Sequence, residues 1–219
     1  MAEDLKDKIM LQTFAEILAT ASKRIQRKEA NIDSLKDEMD FCKAILRSSE
    51  KLLKQISKDD NRIFLLDLDG VLFRFEEGAD YTRPGYFRTR PIQENVQIAV
   101  TLLHNLGFKV MVASSAISTR AALDKAKQVK EVLPFMEDED IIIIPYGMNK
   151  MDFLPKGKRY VLMDDLSLNL YDALDSGRVE PCKCYNDING RHKTFRRRYP
   201  EARSFSIYDE PEVILGCLL

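Results

Sequence analysis

The run RIFLLDLDGVL at residues 62–72 constrains the fold of this chain most strongly. Residues 62–66 read as a buried strand, two carboxylates (Asp67 and Asp69) stand where that strand would end, and Gly70 allows a sharp turn. Ligands of open parallel sheets bind outside the carboxyl ends of the strands. The two aspartates, two positions apart in extended chain, would share one side. They suit a hard divalent cation and in-line chemistry at a phosphate.

Two simpler interpretations of this run stay open from the motif alone. A D-x-D-G sequence can begin a calcium loop, but such loops follow a helix and carry a late Glu. The residues before Asp67 are strand-like instead. The run could also be a plain turn at a strand end.

Short apolar strands alternate with helical stretches after residue 61. The predicted strands are 62–67, 109–114, 141–145 and 159–163, and the predicted intervening helices are 91–106 and 118–132. The βαβ alternation predicts an α/β fold, with a parallel sheet covered on both faces in three layers. Four consecutive isoleucines at 141–144 are typical of a strand buried on both faces.

The first 60 residues have a different texture and contain neither glycine nor proline. Apolar residues between Leu11 and Ile56 keep one heptad register, in which Lys28 and Ser49 are the polar seam positions. This pattern predicts one long helix or, with a break near 31–34, a helical hairpin. We therefore divide the chain into a coiled-coil-like segment, 1–60, and a catalytic-type domain, 61–219. The segment either forms a homodimer or partner interface or packs on its own domain.

Composition excludes several classes of protein. The 34 basic and 35 acidic side chains nearly cancel, so bulk attraction to nucleic acid or membrane is not expected. The acidic N-terminus is unlike a secretory signal, and no apolar run approaches the roughly 20 residues that span a bilayer. The four cysteines lack metal-type spacing and suggest free thiols in a cytoplasmic protein. Cys182 and Cys184, two apart, would share one face of a strand.

Three further predicted strand ends carry polar residues. Ser114 ends the second strand, Lys150 follows the third strand a few residues on, and Asp164 and Asp165 end the fourth. A hydroxyl can donate to a phosphate oxygen, and a lysine can neutralise a phosphate or a carboxylate. Adjacent acids after a buried strand repel each other unless a cation lies near them.

Taken in this order, the strand-end residues resemble the four motifs of the haloacid dehalogenase superfamily, over about 61–190. Within it, several stretches are similar to the cytosolic type C 5′-nucleotidase group, which includes 5′(3′)-deoxyribonucleotidases. These stretches are DLDGVLFRF at 67–75, PGYFR at 84–88, NKMDFL at 149–154, DDLSLNL at 164–170 and NDING at 186–190.

The resemblance implies a role for each motif residue. Asp67 would be the nucleophile that forms an aspartyl-phosphate, and Asp69 would protonate the leaving oxygen and then activate water. Ser114 and Lys150 would hold the transferred phosphoryl group. Mg²⁺ would be bound by Asp67, the backbone carbonyl of Asp69, and either Asp164 or Asp165, which the sequence does not distinguish.

The resemblance also implies a small cap at about 73–90 with an aromatic bias. Phe75, Tyr86 and Phe87 fall where base-contacting aromatics occur in the nucleotidase group, and Ser115 is a further substrate-binding candidate. Each aromatic could equally be an ordinary core residue. The chain departs from the family in having no tryptophan, in the segment EPCKC at 180–184, and in its heptad-bearing N-terminus.

We therefore expect a Mg²⁺-dependent phosphomonoesterase whose substrate is a (deoxy)nucleoside monophosphate. One alternative is a phosphatase for another small phosphate ester or for nucleic-acid ends, with the basic cluster at 191–193 and 196–198 holding the polymer. The simpler reading of that cluster is a solvated face. The other alternative is a binding or scaffold protein that works through its N-terminal helix.

Overall fold

In the part of the chain that the structure describes, the sheet is parallel and has six strands in the order β3-β2-β1-β4-β5-β6. The computed structural model describes residues 61–188 and 194–219. The strands are β1 (Ile63–Leu66), β2 (Lys109–Ala116), β3 (Ile141–Pro145), β4 (Tyr160–Asp164), β5 (Val179–Tyr185) and β6 (Arg203–Ser206).

Five α-helices accompany the sheet in the described residues: α1 (Glu94–Asn105), α2 (Thr119–Val132), α3 (Ser167–Asp175), α4 (Thr194–Arg198) and α5 (Pro211–Leu218). Three short 3₁₀ turns lie at Tyr86–Arg88, Asp138–Asp140 and Lys150–Phe153. None of the helices in this part of the chain is both long and apolar enough to cross a membrane.

Each central strand buries alternate side chains on opposite faces of the sheet. In β1, Phe64 and Leu66 join a core that includes α1 and α5, whereas Leu65 joins a second core that includes α3 and α4. A strand with apolar residues at every position therefore suits a sheet covered on both sides. The predicted α/β fold with helices on both faces is confirmed.

The predicted elements agree with the observed ones to within three residues at each end, but two strands were not predicted. Strands β5 and β6 extend the sheet beyond β4, and α3 and α5 cover opposite faces of that half. Cys182 and Cys184 in β5 are both fully buried in the same core, as their spacing predicts, and both are free thiols.

The predicted cap segment adds no strand to the sheet. It is an irregular segment. Its two ends are joined at Phe73, which forms isolated β-bridges to Asp69 and to Ile92. The N-terminal heptad segment, with Cys42, and the basic residues 191–193 lie outside the described residues, so the division into two parts stays a prediction.

Candidate active site

The strand ends that the sequence singles out meet at one edge of the sheet. Because all strands are parallel, β1, β2 and β4 deliver their carboxyl-terminal residues to the same side, and β1 lies between the other two. Strand order reverses at β1, since β2 and β3 lie on one side of it and β4 to β6 on the other. This crevice is where doubly wound sheets bind ligands.

A buried cluster of three carboxylates occupies this edge. Asp67, Asp164 and Asp165 each offer an oxygen within 4.8 Å of the others. Their exposed fractions are 6%, 0% and 2%. Carboxylate oxygens are the ligands that Mg²⁺ and Ca²⁺ prefer, so the donor set fits a hard divalent cation.

Lys150 joins two of these carboxylates. Its ammonium nitrogen lies 2.9 Å from Asp67 Oδ1 and 2.6 Å from Asp164 Oδ2. Burial lowers the pKa of Lys150, but the charges of Asp164 and Asp67 outweigh burial and hold the pKa above its usual value. Lys150 is therefore a cation in this site.

Asp67 has the most informative pKa of the cluster. Burial raises it most; the ammonium of Lys150 lowers it, and the charges of Asp164 and Asp69 raise it further. The net result is a pKa of about 6, above the ordinary 3.8. A cation bound among the three carboxylates would favour the ionised form and lower this pKa.

Asp164 and Asp165 have different surroundings. Asp164 accepts hydrogen bonds at both oxygens, from the Leu166 amide at 2.8 Å, from Lys150, and from Asn169 Nδ2 at 2.9 Å. Asp165 Oδ2 accepts a hydrogen bond from Asn186 Nδ2 at 2.6 Å. The same amide nitrogen also donates to the Gly70 carbonyl at 2.8 Å.

Gly70 is required where the chain turns after β1. Its φ is +81°, and a Cβ atom there would lie 2.3 Å from Asp165 Oδ2 and 2.5 Å from Asn186 Nδ2. The glycine therefore lets the backbone approach the Asp165 carboxylate closely.

Asp69 does not belong to the carboxylate cluster. Its two carboxylate oxygens are bound separately, one by Arg90 and the other by Lys125, and both of these side chains are buried. Burial raises the pKa of Asp69, but these two cations outweigh burial and the pKa lies below its ordinary value. In this arrangement Asp69 is a carboxylate held on the cap side of the site.

Ser114 and Ser115 lie near the carboxyl end of β2, just before its last residue, Ala116. Ser114 is 1% exposed, and its hydroxyl oxygen has no hydrogen-bond partner among the described residues. A buried hydroxyl without a partner is costly unless a ligand or water supplies one. Ser115 is half-buried, and its carbonyl accepts a hydrogen bond from Lys125.

The cap aromatics pack on one another, and the pair at 86–87 is buried. Phe75 stacks on Tyr81 with ring centroids 5.0 Å apart, Tyr81 meets the edge of Tyr86, and Tyr86 meets Phe87. The exposed fractions of Tyr86 and Phe87 are only 2% and 6%, whereas Phe75 is half-buried. Phe87 also lies against Arg90 and Lys125, with its ring centroid 4.9 Å from the guanidinium carbon and 4.7 Å from the ammonium.

Several residues at this site were not predicted from the sequence. Lys125 occupies the buried stripe of α2 together with Ala121, Gln128, Val129 and Val132. A lysine on the apolar face of an amphipathic helix is the signal that could have revealed it.

The other missed residues have weaker signals. Lys183 interrupts the buried strand β5 and donates to the Asp165 carbonyl. No sequence pattern around Arg90 or Asn169 identifies either residue as part of the site. Their roles depend on contacts across the fold.

The positive and negative charges of the ionisable side chains at the site are equal in number among the described residues. Four carboxylates (Asp67, Asp69, Asp164, Asp165) face four buried cations (Arg90, Lys125, Lys150, Lys183). A divalent cation would add two positive charges, and a phosphate monoester dianion would add two negative ones.

The arginine run 196–198 lies on α4, away from these contacts. All three arginines are exposed, and Arg198 lies over the rings of Tyr171 and Tyr199. The run has the character of a solvated face.

Comparison with known proteins adds no family to this description: no protein-family model matches the chain, and no curated protein or solved structure matches it either.

Proposed function

We propose that this protein is a Mg²⁺-dependent phosphomonoesterase of the haloacid dehalogenase type, acting through an aspartyl-phosphate on nucleoside monophosphates. The observation that carries the proposal is the convergence of Asp67, Lys150 and Asp164–Asp165 at the switch point of a parallel sheet, with the unpartnered hydroxyl of Ser114 at the end of the adjacent strand. A scaffold has no physical need for several buried carboxylates, since burying charge costs free energy.

Asp67 is the proposed nucleophile. Its carboxylate oxygen attacks phosphorus in line with the ester oxygen, the new O–P bond forms, and the P–O bond to the leaving group breaks. Water then attacks the phosphorus of the aspartyl-phosphate. The bond to Asp67 breaks, and inorganic phosphate leaves. The pairing with Lys150 at 2.9 Å holds the attacking carboxylate in place.

Asp69 is the proposed proton carrier. As a carboxylate it can accept the proton of the attacking water in the second step. To protonate the leaving oxygen in the first step, the Asp69 carboxyl must first leave Arg90 and Lys125, because their charges favour its ionised form. The two cations are therefore proposed to hold Asp69 in its ionised form until it takes up the proton.

Ser114 and Lys150 are proposed to hold the transferred phosphoryl group. The Ser114 hydroxyl has a donor to offer, since it has no partner in the described residues. The ammonium of Lys150 can neutralise part of the negative charge on the equatorial oxygens.

Asp67 and Asp165 are proposed as the carboxylate ligands of Mg²⁺, together with the Asp69 carbonyl. Asp164 is the weaker candidate because both of its oxygens already accept hydrogen bonds. The ion would shield the phosphate from the carboxylates and stabilise charge on its oxygens.

The nucleotide preference rests on the cap. Half-buried Phe75 and Tyr81 present stacked aromatic surface next to the site, and stacking of a base on an aromatic ring is worth roughly 1–3 kcal/mol. Tyr86 and Phe87 would support the cap from below, because little of either ring is exposed. The exposed Arg196–Arg198 run would favour nucleic-acid ends only if binding weakened steeply with salt.

Phosphate release from a panel of ribo- and deoxyribonucleoside monophosphates and p-nitrophenyl phosphate, with and without Mg²⁺, tests this function. We expect hydrolysis that requires Mg²⁺ and falls at least about 1000-fold in Asp67→Asn. Hydrolysis of the aryl phosphate alone would support the phosphatase and reject the nucleotidase. Silence on every substrate would reject both and turn attention to the N-terminal segment.

A further inference from the structure

A cavity of about 320 Å³ lies between the cap and the beginning of α2. Cap residues 81–85 and Phe87 form one wall, and Ile117, Ser118 and the first turns of α2 form the other. Its volume falls in the range of small-molecule sites, which are concave and partly apolar.

A single side chain, that of Phe87, lies between the cavity and the proposed catalytic groups. Phe87 lines it, and the same ring lies 4.7 Å from the ammonium of Lys125, which binds Asp69. Asp69 is the group that would serve the leaving oxygen. The cavity therefore adjoins the Asp69 side of the site, with the Phe87 ring between them.

Two guanidinium groups, from Arg83 and Arg120, line the cavity, and neither forms an ion pair with a carboxylate of the described residues. Among those residues Asp124 is the single carboxylate on the lining, and the carboxylate of Asp80, beside the cap wall, interacts electrostatically with Arg83. Behind Phe87, Arg90 and Lys125 outnumber Asp69, and the Nε and one terminal nitrogen of buried Arg90 have no hydrogen-bond partner in this part of the chain.

The position of Arg120 is unusual for a helix. It lies in the first turn of α2, which contains no acidic residue. The helix dipole favours anions at this end and disfavours cations, by typically 0.3–1 kcal/mol. The arginine therefore gains nothing from the helix dipole, although Asp124 lies four positions on along the same helix, and an anion from outside would complement both the side chain and the helix end.

We propose that this cavity takes the leaving-group half of the substrate and that Arg83 and Arg120 bind a second anionic group on it. The substrate class is then a phosphate monoester whose leaving group carries its own phosphate, such as a nucleoside bisphosphate. Tyr81 and Phe87 supply the apolar surface between the two anions. This inference rests on the proposed function and specifies its substrate.

The test compares the Michaelis constants of a nucleoside 5′-monophosphate and the matching 3′,5′-bisphosphate. We expect the wild-type KM for the bisphosphate to be about tenfold lower, since each exposed ion pair contributes modestly. In the Arg83→Ala, Arg120→Ala double variant the KM for the monophosphate divided by the KM for the bisphosphate should fall from about ten to about one. The exposed Arg159 lies at the opposite edge of the sheet, before β4, so Arg159→Ala should leave the ratio at its wild-type value.

Two results would overturn the inference. One is equal wild-type KM values for the two nucleotides, and the other is a double variant that raises both constants by the same factor. Hydrolysis of p-nitrophenyl phosphate by the wild type, abolished in Asp67→Asn, reports on the proposed function separately. If that hydrolysis occurs while the ratio is one, only the second-anion inference fails.

Discussion

Burial of Asp67 at an anionic edge of the sheet links stability to pH. Its pKa is about 6 in the folded chain and near 3.8 when unfolded. Between these values the folded chain holds a proton that the unfolded chain has lost. Stability from this group is therefore complete below pH 3.8 and is lost as the pH rises through 6.

The first prediction concerns Asp67→Asn in the metal-free protein. The amide cannot ionise, so at pH 7.5 the variant should have a higher free energy of unfolding, by up to roughly 3 kcal/mol for a shift of about two pKa units. At pH 4 the difference should nearly disappear. Urea unfolding in a chelator at the two pH values measures this, and an equal difference at both values would contradict it.

The second prediction concerns Gly70. In Gly70→Ala the added methyl group would meet the Asp165 carboxylate and the Asn186 amide in a left-handed backbone conformation. We expect a loss of stability of about 2–4 kcal/mol and weaker metal binding. Gly107→Ala is the matched control, because Gly107 also has positive φ, at +93°, but open space around it. That variant should cost only about 1 kcal/mol, and equal costs would show that the close approach is unimportant.

At the scale of elements, the turn that carries Lys150 depends on a side chain from a neighbouring segment. Arg178, just before β5, donates to the carbonyls of Met151 at 2.7 Å, Leu154 at 3.3 Å and Pro155 at 2.7 Å. It thereby ties the 3₁₀ turn Lys150–Phe153 and its exit to the sheet. The turn begins with a second local contact, because the Asn149 side chain accepts from the Met151 amide.

The third prediction is that Arg178→Ala reduces the proposed phosphatase activity about tenfold. Stability should fall by about 1–3 kcal/mol, because the carbonyls of the buried residues Met151 and Leu154 lose their donor. Loosening of the turn would misplace Lys150 by a fraction of an ångström, and such displacements are costly in catalysis. Steady-state kinetics and urea unfolding measure the two effects. Unchanged kcat would mean that Lys150 is positioned by its carboxylates alone.

The strands show where a local sequence pattern is enough to predict an element. Strands β1 to β4 were predicted because each is a continuous apolar run. Strand β5 was missed because it contains Pro181 and Lys183, which argue against a central strand. The proline is tolerated next to β6 because pairing with β6 begins only at Cys182. The lysine is tolerated because its ammonium meets the Asp165 carbonyl.

For the whole molecule, the balance of four carboxylates and four cations would couple the binding of the proposed metal ion and of a phosphate. Either ion alone leaves an excess of two charges at a buried edge, whereas both together restore the balance. The fourth prediction is that inorganic phosphate tightens Mg²⁺ binding at least about tenfold, a coupling of about 1.4 kcal/mol.

Isothermal titration of Mg²⁺ with and without phosphate measures this coupling, and thermal melting should show a combined shift larger than the sum of the separate ones. The Asp165→Asn variant serves as a control, since it removes a proposed ligand and should weaken Mg²⁺ binding in both conditions. An equal Mg²⁺ affinity with and without phosphate would contradict the charge argument.

The amino-acid sequence alone predicts the α/β class, the first four strands and the set of strand-end residues. These depend on local periodicity and on the rule that parallel strands end at one edge, so Asp67, Ser114 and Asp164–Asp165 could be grouped in advance. Only the tertiary structure decided that Asp69 turns away to Arg90 and Lys125, that Phe87 covers both cations, and that Asn186 bridges Gly70 and Asp165. Apart from Phe87 and Arg90, which are three positions apart, these contacts join residues 21 to 116 positions apart in the chain. Their geometry is set by packing across the sheet, which no local pattern records.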